Sequence, residues 1–170
     1  HSFLHVPSLP LTVTALTFST CAGLTAALLV LLGTERAIVG ITAFFLLSSL
    51  GIAAVRPFAG KLVDHRGLNA LIPATFASEA ACMGLIAFAG SLPLILLAGV
   101  FRIFGQGVAQ SSLQGQVMKD AGPEQRGVAS STFFMGIDIG QGLGAIAGGA
   151  LIDAVGFEGA FLFGPVALIA

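Results

Sequence analysis

Residues 11–33 read LTVTALTFSTCAGLTAALLVLLG, and none of these 23 residues is charged. A helix of about 20 consecutive apolar residues crosses the hydrocarbon core of a bilayer, which is about 30 Å thick. The segment lacks the alternation of apolar and polar positions that the strands of a membrane barrel require. Residues 11–33 are therefore predicted to form a transmembrane helix.

Similar apolar blocks follow along the rest of the chain, separated by short links that carry most of its charged residues. The predicted spans are residues 11–33, 38–58, 68–89, 92–118, 128–152 and a partial span at 159–170. This pattern predicts an all-α fold, a polytopic membrane helix bundle of about six helices, in a single transmembrane domain that covers residues 1–170.

The composition fits a protein surrounded by lipid. The chain is 56% hydrophobic and 9% charged, with a mean hydropathy of +1.00, whereas soluble domains are about 25% charged. Its net charge of −1 provides no basic field for nucleic acid, so no nucleic-acid partner is predicted. Cys21 and Cys82 fall inside apolar blocks and are predicted to pack as small hydrophobic residues. The sequence has no GxSxG, no HExxH and no Cys/His cluster, so we predict no enzymatic activity, no cofactor and no metal site.

The basic residues predict the orientation in the membrane. The links at 59–67 and 119–127 lie on one side and contain Lys61, Arg66, Lys119 and Arg126. The opposite side has only Arg36. By the positive-inside rule, these two links and the start of the chain are predicted to be cytoplasmic, in a multi-pass protein of the cell membrane.

Both ends of the chain suggest a segment of a longer protein. The first residue is His1 instead of methionine, and the last apolar block, from Gly159 to Ala170, is too short to cross a bilayer. We therefore expect a truncated last helix.

Residues 56–67 read RPFAGKLVDHRG. The glycines permit a tight turn, and Pro57 is expected to end regular helix hydrogen bonding. The spacing resembles the G-x-x-x-D-x-x-G cytoplasmic loop of the major facilitator superfamily, with His65 where the family often has Arg. An ordinary charged turn is the alternative. The resemblance implies a loop that braces neighbouring helices and tunes the conformational equilibrium, through Arg56, Gly60, Asp64, Arg66 and Gly67.

A second motif lies in the fourth predicted span, where polar residues recur every four positions at Arg102, Gln106, Gln110 and Gln114. Such spacing predicts one polar stripe along a helix, and an intramembrane Arg must face protein or water. The stripe is predicted to line a cavity, with interhelical hydrogen bonds as the alternative. Arg-x-x-x-Gln-Gly resembles the fourth-helix pattern of the same superfamily, which implies that Arg102, Gln106 and Gln110 contact substrate.

Two carboxylates are predicted near the middle of the bilayer. Glu79 lies 12 residues beyond Gly67 and Asp138 lies 11 beyond Gly127, which places each about 16–18 Å from the cytoplasmic end. A carboxyl group in a low-dielectric environment can bind and release a proton near neutral pH, so both are candidates for proton coupling. For Asp138 the alternative is a structural pair with Arg102. Glu79 is less well placed, because the third helix of each half of the superfamily is peripheral.

The fifth predicted span carries a row of glycines four residues apart, at Gly136, Gly140, Gly144 and Gly148. Small residues at this spacing let two membrane helices approach closely. The row resembles the Gly-rich fifth-helix motif of export members of the superfamily, which lies where the two halves meet. Ala145 stands where those members have Pro. Homodimerisation through the row is the alternative.

Residues 126–134 read RGVASSTFF and are followed by Asp138, which resembles the eleventh helix of bacterial efflux members. The resemblance implies the carboxy-terminal half of a transporter, helices seven to twelve, arranged as two three-helix inverted repeats; the amino-terminal half is the alternative. It further implies a secondary active antiporter that exports a small amphipathic solute by alternating access, coupled to protons. The missing amino-terminal six-helix half would then be a partner. Import of a sugar or metabolite is the main alternative, ahead of a channel or a non-transporting scaffold.

Overall fold

The computed structural model describes the backbone of residues 5–169 and the side chains of residues 5–162. Its α-helices are α1 (Leu9–Glu35), α2 (Thr42–Arg66), α3 (Leu68–Ala87), α4 (Leu92–Arg102), α5 (Ala109–Asp120) and α6 (Arg126–Ile169). A 3₁₀ turn at Val6–Ser8 precedes α1, and a π-helical segment at Ile103–Val108 joins α4 to α5. The described part contains no strand, which confirms the predicted all-α helix bundle.

Within the described residues, five helices are long and apolar enough to cross a membrane. They are α1, α2, α3, the continuous run from α4 through α5, and α6. Within α6, Gly156 has φ 73° and ψ 179°, a conformation that glycine adopts more readily than other residues, and it interrupts the helix. The fifth predicted span and the partial sixth span lie on either side of this break. The end of the partial span, Ala170, lies outside the described residues.

The most extensive helix contact in the bundle joins α1 and α6. The four glycines of the row face α1: a Cβ atom on Gly140 would lie 2.5 Å from the carbonyl oxygen of Leu16, and one on Gly144 would overlap the carbonyl oxygen of Thr20. The row therefore allows two helices of the same chain to approach until their backbones nearly touch. Homodimerisation through this row is thus the wrong interpretation, because α1 already covers it.

The second helix is longer than predicted. We expected helix hydrogen bonding to end at Pro57 and a link to begin at residue 59, but α2 continues through Pro57 to Arg66. The turn is confined to Gly67, with φ 76° and ψ 150°. Proline within a membrane helix is tolerated where neighbouring helices support it. Here Ala59, just beyond Pro57, is fully buried in a small cluster with Leu71 of α3.

Besides the small cluster around Ala59, two larger apolar clusters lie in the described part of the bundle. The larger one contains Leu29, Phe44 and Met83 and lies towards the ends of α1 and α3 and the start of α4. The smaller one contains Leu113 and Phe133 and involves the early part of α1, α5 and the start of α6. On α1, on α3 and on the run from α4 to α5, the segment between these clusters carries buried or half-buried polar side chains. This polar layer contains Glu79, Arg102, Gln106 and Gln110 of the predicted site residues.

Candidate functional site

The centre of the polar layer is an ion pair between α3 and the end of α4. Glu79 is 0% exposed and Arg102 is 8% exposed, and Arg102 Nη1 lies 3.7 Å from Glu79 Oε1. Arg102 therefore pairs with Glu79, and the alternative that it pairs with Asp138 is wrong. The sequence contained no indication that the side chain of Glu79 faces α4.

Few other groups form hydrogen bonds with the two side chains of this ion pair. Both carboxylate oxygens of Glu79 and Nη1 of Arg102 lack a hydrogen-bond partner among the described residues. The guanidinium of Arg102 lies 5.8 Å from the centroid of the Phe44 ring, within the range of a cation–π contact. A buried ion pair with so few hydrogen bonds adds little to stability, because removing both charges from water costs several kcal/mol per ion, about as much as their attraction returns. A gain in stability therefore does not explain why this pair is present.

The backbone next to this pair is a π-helical segment, Ile103–Val108. Two glycines let it fit between neighbouring helices: a Cβ on Gly105 would lie 3.0 Å from Glu79 Oε2, and one on Gly107 would lie 3.3 Å from Ile52 of α2. Single π turns within α-helices occur frequently at functional sites. This segment links the ion pair on one side to the glutamines on the other.

Gln106 and Gln110 point into a different space from Arg102. With Ala15, Phe18 and Ser19 of α1 they line a small cavity of about 10 Å³, barely room for one water molecule. A π turn takes more residues than an α turn, so residues four apart no longer lie on one line. The predicted single stripe is therefore divided, with the two glutamines facing α1 and Arg102 facing α3.

Asp138 does not join either group. It is exposed on α6, on the side turned away from the glycine row that packs against α1. It forms no ion pair with any side chain in residues 5–162. The structure thus leaves Asp138 on an outer face of the bundle and brings Glu79, the less favoured of the two carboxylates, into its centre.

The G-x-x-x-D-x-x-G motif lies at the end of α2. Asp64 Oδ1 accepts a hydrogen bond from Lys119 Nζ at 3.0 Å, which joins the end of α2 to the end of α5. Gly67 makes the turn, Gly60 is helical with open space around it, and Arg56 and Arg66 are exposed. Of the five predicted motif residues, Asp64 thus makes the contact to another helix.

The chain matches the family model of the Major Facilitator Superfamily over residues 5–170. It belongs to this superfamily. Comparisons with curated proteins and with solved structures gave no significant match. Superfamily members are membrane transporters, which agrees with the five helices able to span a membrane. Carboxy-terminal position, helix numbering and similarity to efflux members stay predictions.

Two contacts of this superfamily member were missed in the sequence. In the sequence, Lys119 and Arg36 served only to predict the orientation of the chain in the membrane. Arg36 donates hydrogen bonds to the carbonyl oxygens of Ala89 at 2.7 Å and Ala87 at 3.2 Å, and it pairs with Glu158 at 3.3 Å. Arg36 thereby joins the end of α1 to the end of α3 and to α6 beyond Gly156. Arg36 is the only basic residue in the links on its side, among the acidic residues Glu35, Asp153 and Glu158, and this was the available indication.

The described residues offer little for a metal or cofactor. No three His, Cys, Asp or Glu side chains in that part of the chain are placed to hold a metal ion. Cys21 and Cys82 are free thiols buried in the larger apolar cluster, which confirms their predicted packing role. The chemistry of the polar layer thus rests on one carboxylate, one guanidinium and two amides.

Proposed function

We propose that this chain forms one six-helix wall of a secondary active transporter, which exports a small amphipathic solute in exchange for protons by alternating access. Membership of the superfamily supports transport in general. The observation that carries the finer proposal is the buried Glu79–Arg102 pair, which touches the same π segment that holds Gln106 beside the α1 cavity.

The solute would bind next to Gln106 and Gln110. Each side-chain amide can donate and accept hydrogen bonds, and Gln106 Oε1 is buried without a partner among the described residues. The ring of Phe18 and the side chain of Ile137 supply apolar surface at the same cavity. This combination suits a solute with one polar and one apolar part.

Glu79 would carry the proton. While Glu79 is ionised, it balances the buried charge of Arg102 at 3.7 Å. Protonation removes that balance and leaves Arg102 buried without a counter-charge, a change that typically costs about 3–5 kcal/mol. A shift of about 5.5 kcal/mol moves a two-state equilibrium from 1:99 to 99:1. Protonation of one buried carboxyl group could therefore supply much of the free energy that favours a second arrangement of α3 against α4.

Asp138 is the other candidate for coupling. Its position on the outer face of α6 would place it opposite the second six-helix wall of a complete transporter. There it could bind a proton or a cationic solute directly. The two candidates differ in burial and in distance from Arg102, so their variants separate them.

The test compares two isosteric variants of the complete transporter in proteoliposomes, with an imposed proton gradient and cationic, anionic and neutral dyes as substrates. Glu79→Gln removes the titratable group, so gradient-driven transport should fall by at least about tenfold, the scale of a 1.4 kcal/mol loss. Dye exchange without a gradient should persist. Asp138→Asn is the matched control and should retain gradient dependence.

The opposite pattern, with coupling lost in Asp138→Asn and kept in Glu79→Gln, would assign the proton to the outer face of α6. If neither variant altered transport, and Gln106→Ala also had no effect, the proposed site would be wrong.

A further inference from the structure

A groove runs along the outer surface of the bundle between α2 and the π segment. Its walls are apolar and include Val55, Phe58 and Leu62 of α2, together with Phe104 and Val108. The volume is about 250 Å³. Both phenylalanines are exposed, so the groove opens to the surroundings of the bundle. It shares no lining residue with the cavity of Gln106 and Gln110.

One end of this groove is basic. Lys61 and His65 belong to its lining, and both side chains are exposed. They share a helix face with Phe58 and Leu62, because residues three, four and seven apart lie on one side of a helix. Within residues 5–162, neither side chain makes a hydrogen bond or an ion pair, whereas neighbouring Asp64 is already paired with Lys119. The charge of Lys61 is thus available to a ligand.

The groove is long enough for a lipid head group and part of one acyl chain. From Val55 to His65 it follows α2 for ten residues, about 15 Å at 1.5 Å per residue. Its apolar part, from Val55 to Leu62, is about 10 Å long, within one leaflet of a hydrocarbon core of about 30 Å. The basic end lies next to Arg66, the last residue of α2, where the helix reaches the membrane surface that the distribution of Lys and Arg predicts to be cytoplasmic.

We propose that this groove binds one anionic phospholipid. Its phosphate would accept hydrogen bonds from Lys61 and His65, while one acyl chain lies along Phe58 and Phe104. Charge complementarity favours an anionic lipid over a zwitterionic one, because the choline group of a zwitterionic lipid brings a second positive charge close to Lys61. The cytoplasmic leaflet, which this end of α2 is predicted to face, is rich in anionic lipids. The groove borders the same π segment as the proposed transport site but shares no lining residue with the cavity of Gln106 and Gln110.

The experiment measures which lipid the detergent-purified chain retains. The chain is incubated with an equimolar mixture of dioleoyl phosphatidylglycerol and dioleoyl phosphatidylcholine, and retained lipids are counted by native mass spectrometry. The anionic lipid should exceed the zwitterionic one by about fivefold, the contribution of one basic residue near an anionic surface. Lys61→Gln should bring this ratio close to one, and Phe104→Ala should reduce total lipid retention.

Arg126→Gln is the matched control. Arg126 is also exposed, lies on the same predicted side and forms no ion pair in the described part of the chain, but it does not line the groove. This variant should leave the ratio unchanged.

Inorganic phosphate at the same concentration as the lipids should not displace them, because it has no acyl chain. Equal retention by the wild type, an equal effect of Arg126→Gln, or displacement by phosphate would overturn the proposal. All three substituted side chains are exposed, and helicity measured by circular dichroism verifies folding.

Discussion

At the scale of single residues, glycines of one helix have opposite environments. Gly140 and Gly144 of α6 lie against backbone atoms of α1, whereas Gly142 and Gly149 have no heavy atom of another residue within 4 Å of a Cβ position. The four-residue spacing in the sequence identified which glycines share a face. It could not identify α1 as the helix that packs there, because spacing describes only one of the two partners.

This difference predicts opposite effects for the same substitution. In Gly144→Ala, the new methyl group would overlap the carbonyl oxygen of Thr20, so we expect the variant to lose about 1–3 kcal/mol of stability, the usual cost of overpacking. In Gly142→Ala, the methyl group meets open space, and the better helix propensity of Ala should leave stability equal or raise it by up to about 1 kcal/mol. Thermal unfolding of both variants in detergent compares them. Equal melting temperatures would contradict the observed α1–α6 contact.

The ion pair shows what the sequence cannot predict at this scale. Counting residues from the charged links placed Glu79 and Asp138 at the same depth, and depth depends only on position along a helix. Their partners depend on how each helix is rotated about its axis. Glu79 faces Arg102 and Asp138 faces outward, so two carboxylates with the same predicted depth have different environments.

At the scale of helices, hydropathy predicted that the helices exist but was less accurate about where they end and how uniform they are. We expected Pro57 to end the helix, but α2 continues to Arg66, and Ala59 is packed in a buried cluster beyond the proline. The π segment at Ile103–Val108 was not foreseen, although Gly105 and Gly107 lower helix propensity there. Its register shift separates Arg102 from the glutamines. Both errors arise because tertiary contacts decide the local backbone.

The contact between α2 and α5 gives a prediction at this scale. Asp64 and Lys119 are both well exposed, so their pair should contribute only about 0–1 kcal/mol to folding. In a transporter whose two states differ by a few kcal/mol, the same amount measurably changes the populations. We expect Asp64→Lys and Lys119→Asp each to slow transport by up to about fivefold, and the double exchange to restore part of the rate.

Transport measured at low and high salt checks this assignment. Because exposed charges are screened, the difference between the single variants and wild type should shrink as ionic strength rises. Single and double variants with the same rate at low salt would show that the pair does not bias the conformational equilibrium.

At the scale of the whole bundle, the order of burial distinguishes inner from outer helices. In the most apolar 18-residue segment of each helix, 61% of the α1 residues are buried, compared with only 17% in α2 and 17% in α6. Hydropathy alone could not separate them, since all are apolar enough to cross a membrane. α1 is the central helix, and α2 and α6 present wide surfaces to lipid or to another helix bundle.

The outer face of α6 therefore tests whether a second wall exists. Ile146 is 74% exposed on this face, whereas Val39, in the connection between α1 and α2, is 88% exposed. Single-cysteine variants at these positions can be labelled with a maleimide in detergent, and the two native cysteines, both buried, can be replaced by Ala.

If a second six-helix wall packs on α6, Ile146→Cys should react readily in this chain alone and be strongly protected in the complete transporter, because a packed interface excludes reagent. Val39→Cys should react equally in both. Equal labelling of Ile146→Cys in the two forms would mean that α6 faces lipid in the assembled protein, and Asp138 would then have no second wall to act upon.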